Sequence, residues 1–108
     1  MPLIEGAGAF AAQPGAASYV EQLRTADLSV GTYSIATGGV DRQSPHTEDE
    51  VYVVTGGRAI FVDDAGRTTV GPGDVLFVRA GVPHRFEDIT TDLTVVVVFG
   101  PPEGTRSA

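Results

Sequence analysis

The chain has two histidines, His46 and His84, and each sits in a segment of similar make-up. The first segment, Gly38 to Gly57, reads GGVDRQSPHTEDEVYVVTGG; the second, Gly73 to Asp88, reads GDVLFVRAGVPHRFED. Both set a histidine beside glycine, proline and a β-rich apolar run, and the first adds Glu50 four residues after His46. Two imidazoles and one carboxylate, brought to one spot by a β fold, form the ligand set of a mononuclear metal site with open positions. Those open positions are where a small molecule would meet the metal.

The elements that must bring these residues together read as strands. Gly and Pro recur at short intervals, and the stretches between them are rich in Val, Ile, Thr, Tyr and Phe, the pattern of short strands joined by tight turns. No helix is expected. Ser18 to Thr25 (SYVEQLRT) is too short for a strong helical signal and alternates well enough for an edge strand. Leu28 to Thr37 follows as a second strand. Glu50–Val54 and Arg58–Val62 flank Thr55-Gly56-Gly57, which has the chemistry of a hairpin turn. A second hairpin is expected through Asp63-Asp64-Ala65-Gly66, and Gly71-Pro72-Gly73-Asp74 then turns the chain into Val75–Val78. Leu93 to Phe99 is a continuous apolar run, as for a strand buried on both faces. About eight antiparallel strands predict an all-β sandwich or jelly-roll barrel. The tail, residues 101–108, is expected to be loose.

With 108 residues, the chain is expected to form one domain with a single core. Its net charge of -7, with seven arginines and no lysine against fourteen acidic residues, argues against nucleic acid as a partner. The absence of cysteine rules out a disulfide framework, a thiolate nucleophile and a zinc-cysteine site. No apolar stretch approaches the length of a membrane span, and the first eighteen residues lack the basic start of a signal peptide. The expectation is a cytoplasmic protein without a membrane partner.

The two segments resemble the two motifs of the cupin family. The first motif, G-x5-H-x-H-x3,4-E-x6-G, is matched by Gly38, His46, Glu50 and Gly57, with Ser44 where the family has its first histidine. The second, G-x5-P-x-G-x2-H-x3-N, is matched by Gly73, Gly81 and His84, with Arg79 in the proline position and Asp88 in the asparagine position. The resemblance covers residues 38–88, about half the chain, and implies a small single-domain cupin: an antiparallel jelly-roll barrel, or double-stranded β-helix. It further implies His46, Glu50 and His84 as surviving ligands of a divalent transition metal, Fe(II) first, with Mn, Ni, Co or Zn as the other ions such donors suit. Ser44 leaves two outcomes open: three ligands with vacant positions, or a site too weak to hold metal. Gln43, next to Ser44, could supply a fourth ligand if Pro45 disrupts the strand alternation there.

Around that centre, Glu48 and Tyr33 are candidates for moving a proton. Tyr52, Phe61, Phe77, Phe86 and Phe99 are expected mostly in the core. Phe86, two residues from His84, is the first choice to line a ligand pocket, with Tyr52 as a second wall. Arg79 is either a solvated turn residue or a bidentate partner for a substrate carboxylate. The leading functional reading is a metal-dependent, dioxygenase-like oxidoreductase acting on a small organic substrate. Alternatives are a non-redox isomerase, cyclase or lyase, and a non-catalytic module that binds a small ligand. A metal-free epimerase is disfavoured, because so few basic residues could hold a nucleotide diphosphate. A homodimer is expected, since an apolar sheet face or edge strand is protected by pairing with its copy, and Leu3 to Phe10 could cross to the partner.

Overall fold

A computed structural model describes residues 3–42 and 45–106. Six strands, β1 (Ala17–Arg24), β2 (Ser29–Ile35), β3 (Asp49–Asp63), β4 (Gly66–Val70), β5 (Val75–Val78) and β6 (Arg85–Gly100), pair antiparallel, with no helix among the described residues. Their order is β1-β2-β6-β3-β4, and β5 pairs with the first half of β3. The strand count is below the expected eight because β3 and β6 are each long enough to act twice. The first half of β3 lies between β5 and β6, and its second half lies between β4 and β6.

The hairpin expected at Thr55-Gly56-Gly57 does not form; these residues lie inside β3. Instead the glycines make an irregularity in the pairing with β6, where the register shifts repeatedly between Val54 and Ile60. The shift changes which residues face inward. Glu50, Tyr52 and Val54 are buried before the glycines, and Ala59 and Phe61 after them, the one-residue change of phase that a bulge produces. Gly57 has φ 83° and approaches β6 so closely that a Cβ there would lie 2.2 Å from the Asp92 carbonyl oxygen. Tyr52 and Val54 share one core cluster with Ala59 and Phe61, so the sheet bends around a single interior.

The second expected hairpin is present, with Asp63 paired to Gly66 and the Ala65 amide donating to Asp63 Oδ1 at 2.9 Å. β1 is an edge strand, bonded only to β2. All seven residues of β2 are buried. Its inner face meets the core through Tyr33 and Ile35. Its outer face is covered by the chain's own N-terminal segment, whose Gly8 and Ala11 amides donate to the Thr32 and Ser34 hydroxyls at 2.8 and 3.2 Å. Leu3, Ile4 and Phe10, in the stretch expected to reach a partner, are exposed.

Two further expectations are corrected. Phe77 is not core: β5 alternates, Val78 turns inward, and Phe77 and Val75 are 61% and 63% exposed. Nor is the tail loose over the described residues. Pro102 is buried, the Glu103 amide donates to Ser29 Oγ at 3.0 Å, and the Gly104 and Arg106 amides donate to the two Glu48 carboxylate oxygens at 2.9 and 3.0 Å. A carboxylate that accepts several backbone amides supplies partners the tail could not find in a sheet. Among the described residues no helix is long and apolar enough to cross a membrane.

Candidate metal centre

The two histidines reach one place through backbone stitching between the motif segments. His46 lies in the loop before β3, and His84 immediately before β6. The Gly81 amide donates to the His46 carbonyl at 2.7 Å, and the Ala80 amide donates to Asp49 Oδ1 at 2.8 Å. These bonds hold the turn that precedes His84 against the start of β3. Glu50 and Tyr52, two apart on β3, both point inward. The ligand atoms of His46, Glu50 and His84 all lie within 4.8 Å of one another.

Glu50 is 1% exposed, and neither of its carboxylate oxygens has a hydrogen-bond partner. Its Oε1 is nevertheless only 2.9 Å from His84 Nε2. Burying a carboxylate without directed partners costs several kcal/mol, on the order of 3–5, so a purely structural Glu50 is a poor arrangement. Either a protonated His84 imidazole or a shared cation would satisfy it. Two ligand atoms bound at right angles to one ion, each at about 2.1 Å, stand about 3 Å apart without bonding each other.

The His84 ring is oriented through its other nitrogen. Its Nδ1 lies 2.9 Å from the Val82 carbonyl oxygen, which can only accept, so Nδ1 carries the proton and Nε2 presents an electron pair in the neutral ring. Tyr52 Oη is also 2.9 Å from Nε2 and donates to it in that tautomer. Burial by itself pushes the His84 imidazole down, but the Glu50 carboxylate and the Val82 carbonyl carry it above the usual histidine value of 6.5. Aromatic rings wall the site. Phe99 meets His46 edge-on at 4.8 Å between centroids, and the His84 ring lies 5.8 Å from Tyr52 and 6.1 Å from Phe61. The donor set of buried imidazole and carboxylate, with unbonded oxygens, fits a divalent transition metal.

The other expected site residues are placed as follows. Tyr52 is at the centre. Phe86 is buried one layer behind, its ring 5.1 Å from Tyr52 and 5.2 Å from Phe61. Tyr33 donates to Asp41 Oδ1 at 2.6 Å; burial first, then that contact, raises its pKa far above the phenol value. Its hydroxyl is thereby committed to Asp41 in this structure. Glu48 lies on a cleft of about 300 Å³ beside His46, lined also by Pro45, Thr47, Glu103 and Gly104. Burial pushes its carboxyl up, but donation from the Thr47 hydroxyl and the Arg106 and Gly104 amides prevails and holds it below the usual glutamate value. With both oxygens accepting backbone amides, Glu48 anchors the tail. Arg79 is exposed on a different cleft, with Phe77 and Val82. Gln43 and Ser44 lie outside the described residues.

Three further residues hold the site, of which Asp41 and Glu103 were not apparent from the sequence. Asp41, buried, accepts from both the Tyr33 hydroxyl and the Phe86 amide and so ties β2 to the start of β6. Asp49 fixes the turn before His84. Glu103, on the tail, brings Oε2 to 3.6 Å from His46 Nδ1. Only Asp49 carried a signal, as part of the Glu48-Asp49-Glu50 run.

A bent antiparallel sheet whose two motif loops converge two histidines and one glutamate defines a cupin-type domain, and the model of the cupin domain matches residues 31–99. The chain belongs to the cupin family. It is 47% identical over 93 residues to an uncharacterized protein of Streptomyces coelicolor, an alignment covering 86% of this chain and 87% of that one. Among solved structures it is similar to a cupin superfamily protein from Desulfitobacterium hafniense, with a TM-score of 0.76, 19% identity, and 93% and 90% of the two chains covered. It is also similar to the DMSP lyase DddQ from Ruegeria pomeroyi, with a TM-score of 0.73, 18% identity, and 85% of this chain but 49% of that one covered. At these identities the structural likenesses establish the fold alone.

Proposed function

We propose that this protein is a mononuclear metal cupin, a jelly-roll barrel whose His46, Glu50 and His84 hold a divalent transition metal, Fe(II) first, for dioxygenase-like chemistry on a small organic molecule. The observation that carries this reading is the buried Glu50 carboxylate, 2.9 Å from His84 Nε2 with neither oxygen hydrogen-bonded. A bound ion supplies Lewis acidity, open positions for an oxygen-bearing substrate and, as Fe(II), a partner for dioxygen. The chain's own residues do the rest. Val82 fixes the His84 tautomer, Phe99 and Phe61 keep bulk water from the imidazoles, and Glu103 adds negative charge at the His46 edge.

A second reading, non-redox lyase or isomerase chemistry, is favoured by one feature. The Tyr52 hydroxyl sits against the ligand set and can give a proton to a substrate atom there. Oxygen uptake by the Fe(II)-loaded protein with diketones, catechols and phenolic acids separates the readings. Oxygen consumed in step with product supports the oxygenase. Product without oxygen uptake supports the lyase or isomerase, and binding without turnover makes the protein a ligand-binding module.

The protein is proposed to act as a homodimer in the cytoplasm. In support of pairing, cross-strand register places Phe77 opposite Val51 and Val51 opposite Val98, with Val75, Val53 and Val96 forming a parallel row. Those rows form an apolar outer face whose edge strand, β5, is exposed. Light scattering at micromolar concentration tests this, and a monomer mass would reject it.

A further inference from the structure

Tyr19 lies on β1, paired with Tyr33 on β2. Its hydroxyl is buried without a hydrogen-bond partner, a condition that, among the buried side-chain atoms of the described residues, only the two Glu50 oxygens share. An unpartnered buried hydroxyl is destabilising, so its place in the fold calls for another reason.

The space for it is built into the neighbouring strand. A Cβ on Gly31 would lie 2.1 Å from Tyr19 Oη and 2.3 Å from Cζ. Gly31 is an ordinary strand residue without positive φ, so what matters at 31 is the missing side chain and not backbone freedom. The phenol leans from the row of Tyr33 across Gly31, the diagonal neighbour, along the strand toward Ser29 and Phe99. That direction leads to the metal centre. The Tyr19 ring meets Phe99 edge-on at 6.3 Å, Phe99 is paired with Glu50, and the Phe99 ring meets His46 at 4.8 Å. Burial first, then the Glu103, Glu21 and Glu50 carboxylates, raise the Tyr19 pKa far above the phenol value. The group therefore keeps its proton and can donate a hydrogen bond.

We propose that Tyr19 is a ligand-binding residue whose hydroxyl donates a hydrogen bond to an oxygen of the small molecule bound at the open side of His46, Glu50 and His84. The proposal rests on the reading of those three residues as metal ligands. It specifies an oxygen acceptor, a carboxylate, enolate or hydroxamate, as the ligand chemistry on the β1 side of the site.

The test compares wild type with Tyr19→Phe, both loaded with Co(II) and titrated with acetohydroxamate, a small two-oxygen chelator, followed by the visible absorption of the metal. Co(II) affinity should agree within about twofold, because Tyr19 is not a ligand, while acetohydroxamate should bind about tenfold or more weakly to the variant, the effect of losing one hydrogen bond to a charged group. In EDTA the variant's Tm should equal or exceed that of wild type, since the unpartnered hydroxyl is gone. Equal acetohydroxamate affinity with Co(II) retained would overturn the role of Tyr19 and leave the metal site standing. A lowered Tm of the metal-free variant would show that the hydroxyl serves the fold and would overturn it too. Failure of both proteins to bind Co(II) would overturn the metal reading and this role with it.

Discussion

Glu50 and His84 approach to 2.9 Å across the interior as an ion pair when the imidazole is protonated, and the carboxylate has no other hydrogen-bond partner among the described residues. Two states satisfy such a pair: a protonated imidazole beside the carboxylate, or a cation between them. They respond oppositely to pH. The metal-free His84 has its pKa raised above 6.5, so its attraction to Glu50 contributes stability fully below that value and loses it as pH rises through the raised value. A metal competes with the proton for Nε2, so stabilisation by metal grows as pH rises and vanishes as it falls. Calorimetry from about pH 5.5 to 8.5 should show the gap in Tm between Co(II)-loaded and EDTA-treated protein widening with pH. A gap independent of pH would mean that the ion binds elsewhere.

The Tyr52 hydroxyl occupies the same Nε2 electron pair that an ion needs. Tyr52→Phe removes that competitor and keeps the ring that packs on Phe61 and Phe86. A neutral hydrogen bond is worth about 1 kcal/mol net, so metal affinity should rise about fivefold. Competition with a chromophoric chelator measures it. A fall in affinity would assign Tyr52 to holding the ion.

Glu48 is expected to matter through the tail. In Glu48→Ala the Gly104 and Arg106 amides lose their acceptors, and stability should fall by about 1–3 kcal/mol. Hydrogen exchange at those two amides should change from protected to free in the variant. In wild type, because the Glu48 pKa is depressed below 4.5, the clamp holds above that value and is lost as pH falls through the depressed one. Unchanged protection in the variant would show that the tail is held by its other contacts.

The candidate ligand group His46, Glu50 and His84 was legible through its resemblance to the two family motifs, and the structure brings their ligand atoms within 4.8 Å of one another. The Asp63–Gly66 hairpin was legible locally, whereas the last strand, expected to be buried on both faces, keeps Val96 and Val98 only half-buried on its outer face. Gly56-Gly57 misled because a hairpin turn and a bulge ask for the same residue type. What decides between them is the Asp92 carbonyl arriving from β6, a long-range contact with no mark in the local sequence. The tail misled for a similar reason. Its prolines exclude a strand, but its order comes from a carboxylate more than fifty positions earlier. Glu48 also accepts from backbone amides and Tyr33 donates to Asp41, contacts visible only once the chain is folded.

Elemental analysis of protein purified without chelator or histidine tag tests whether His46, Glu50 and His84 hold a metal. Near-stoichiometric iron, manganese, cobalt, nickel or zinc is expected in wild type. That metal should be lost in His46→Ala, Glu50→Ala and His84→Ala, with each variant still folded. Wild-type protein that holds no metal, even after anaerobic reconstitution with each of those ions, would contradict it.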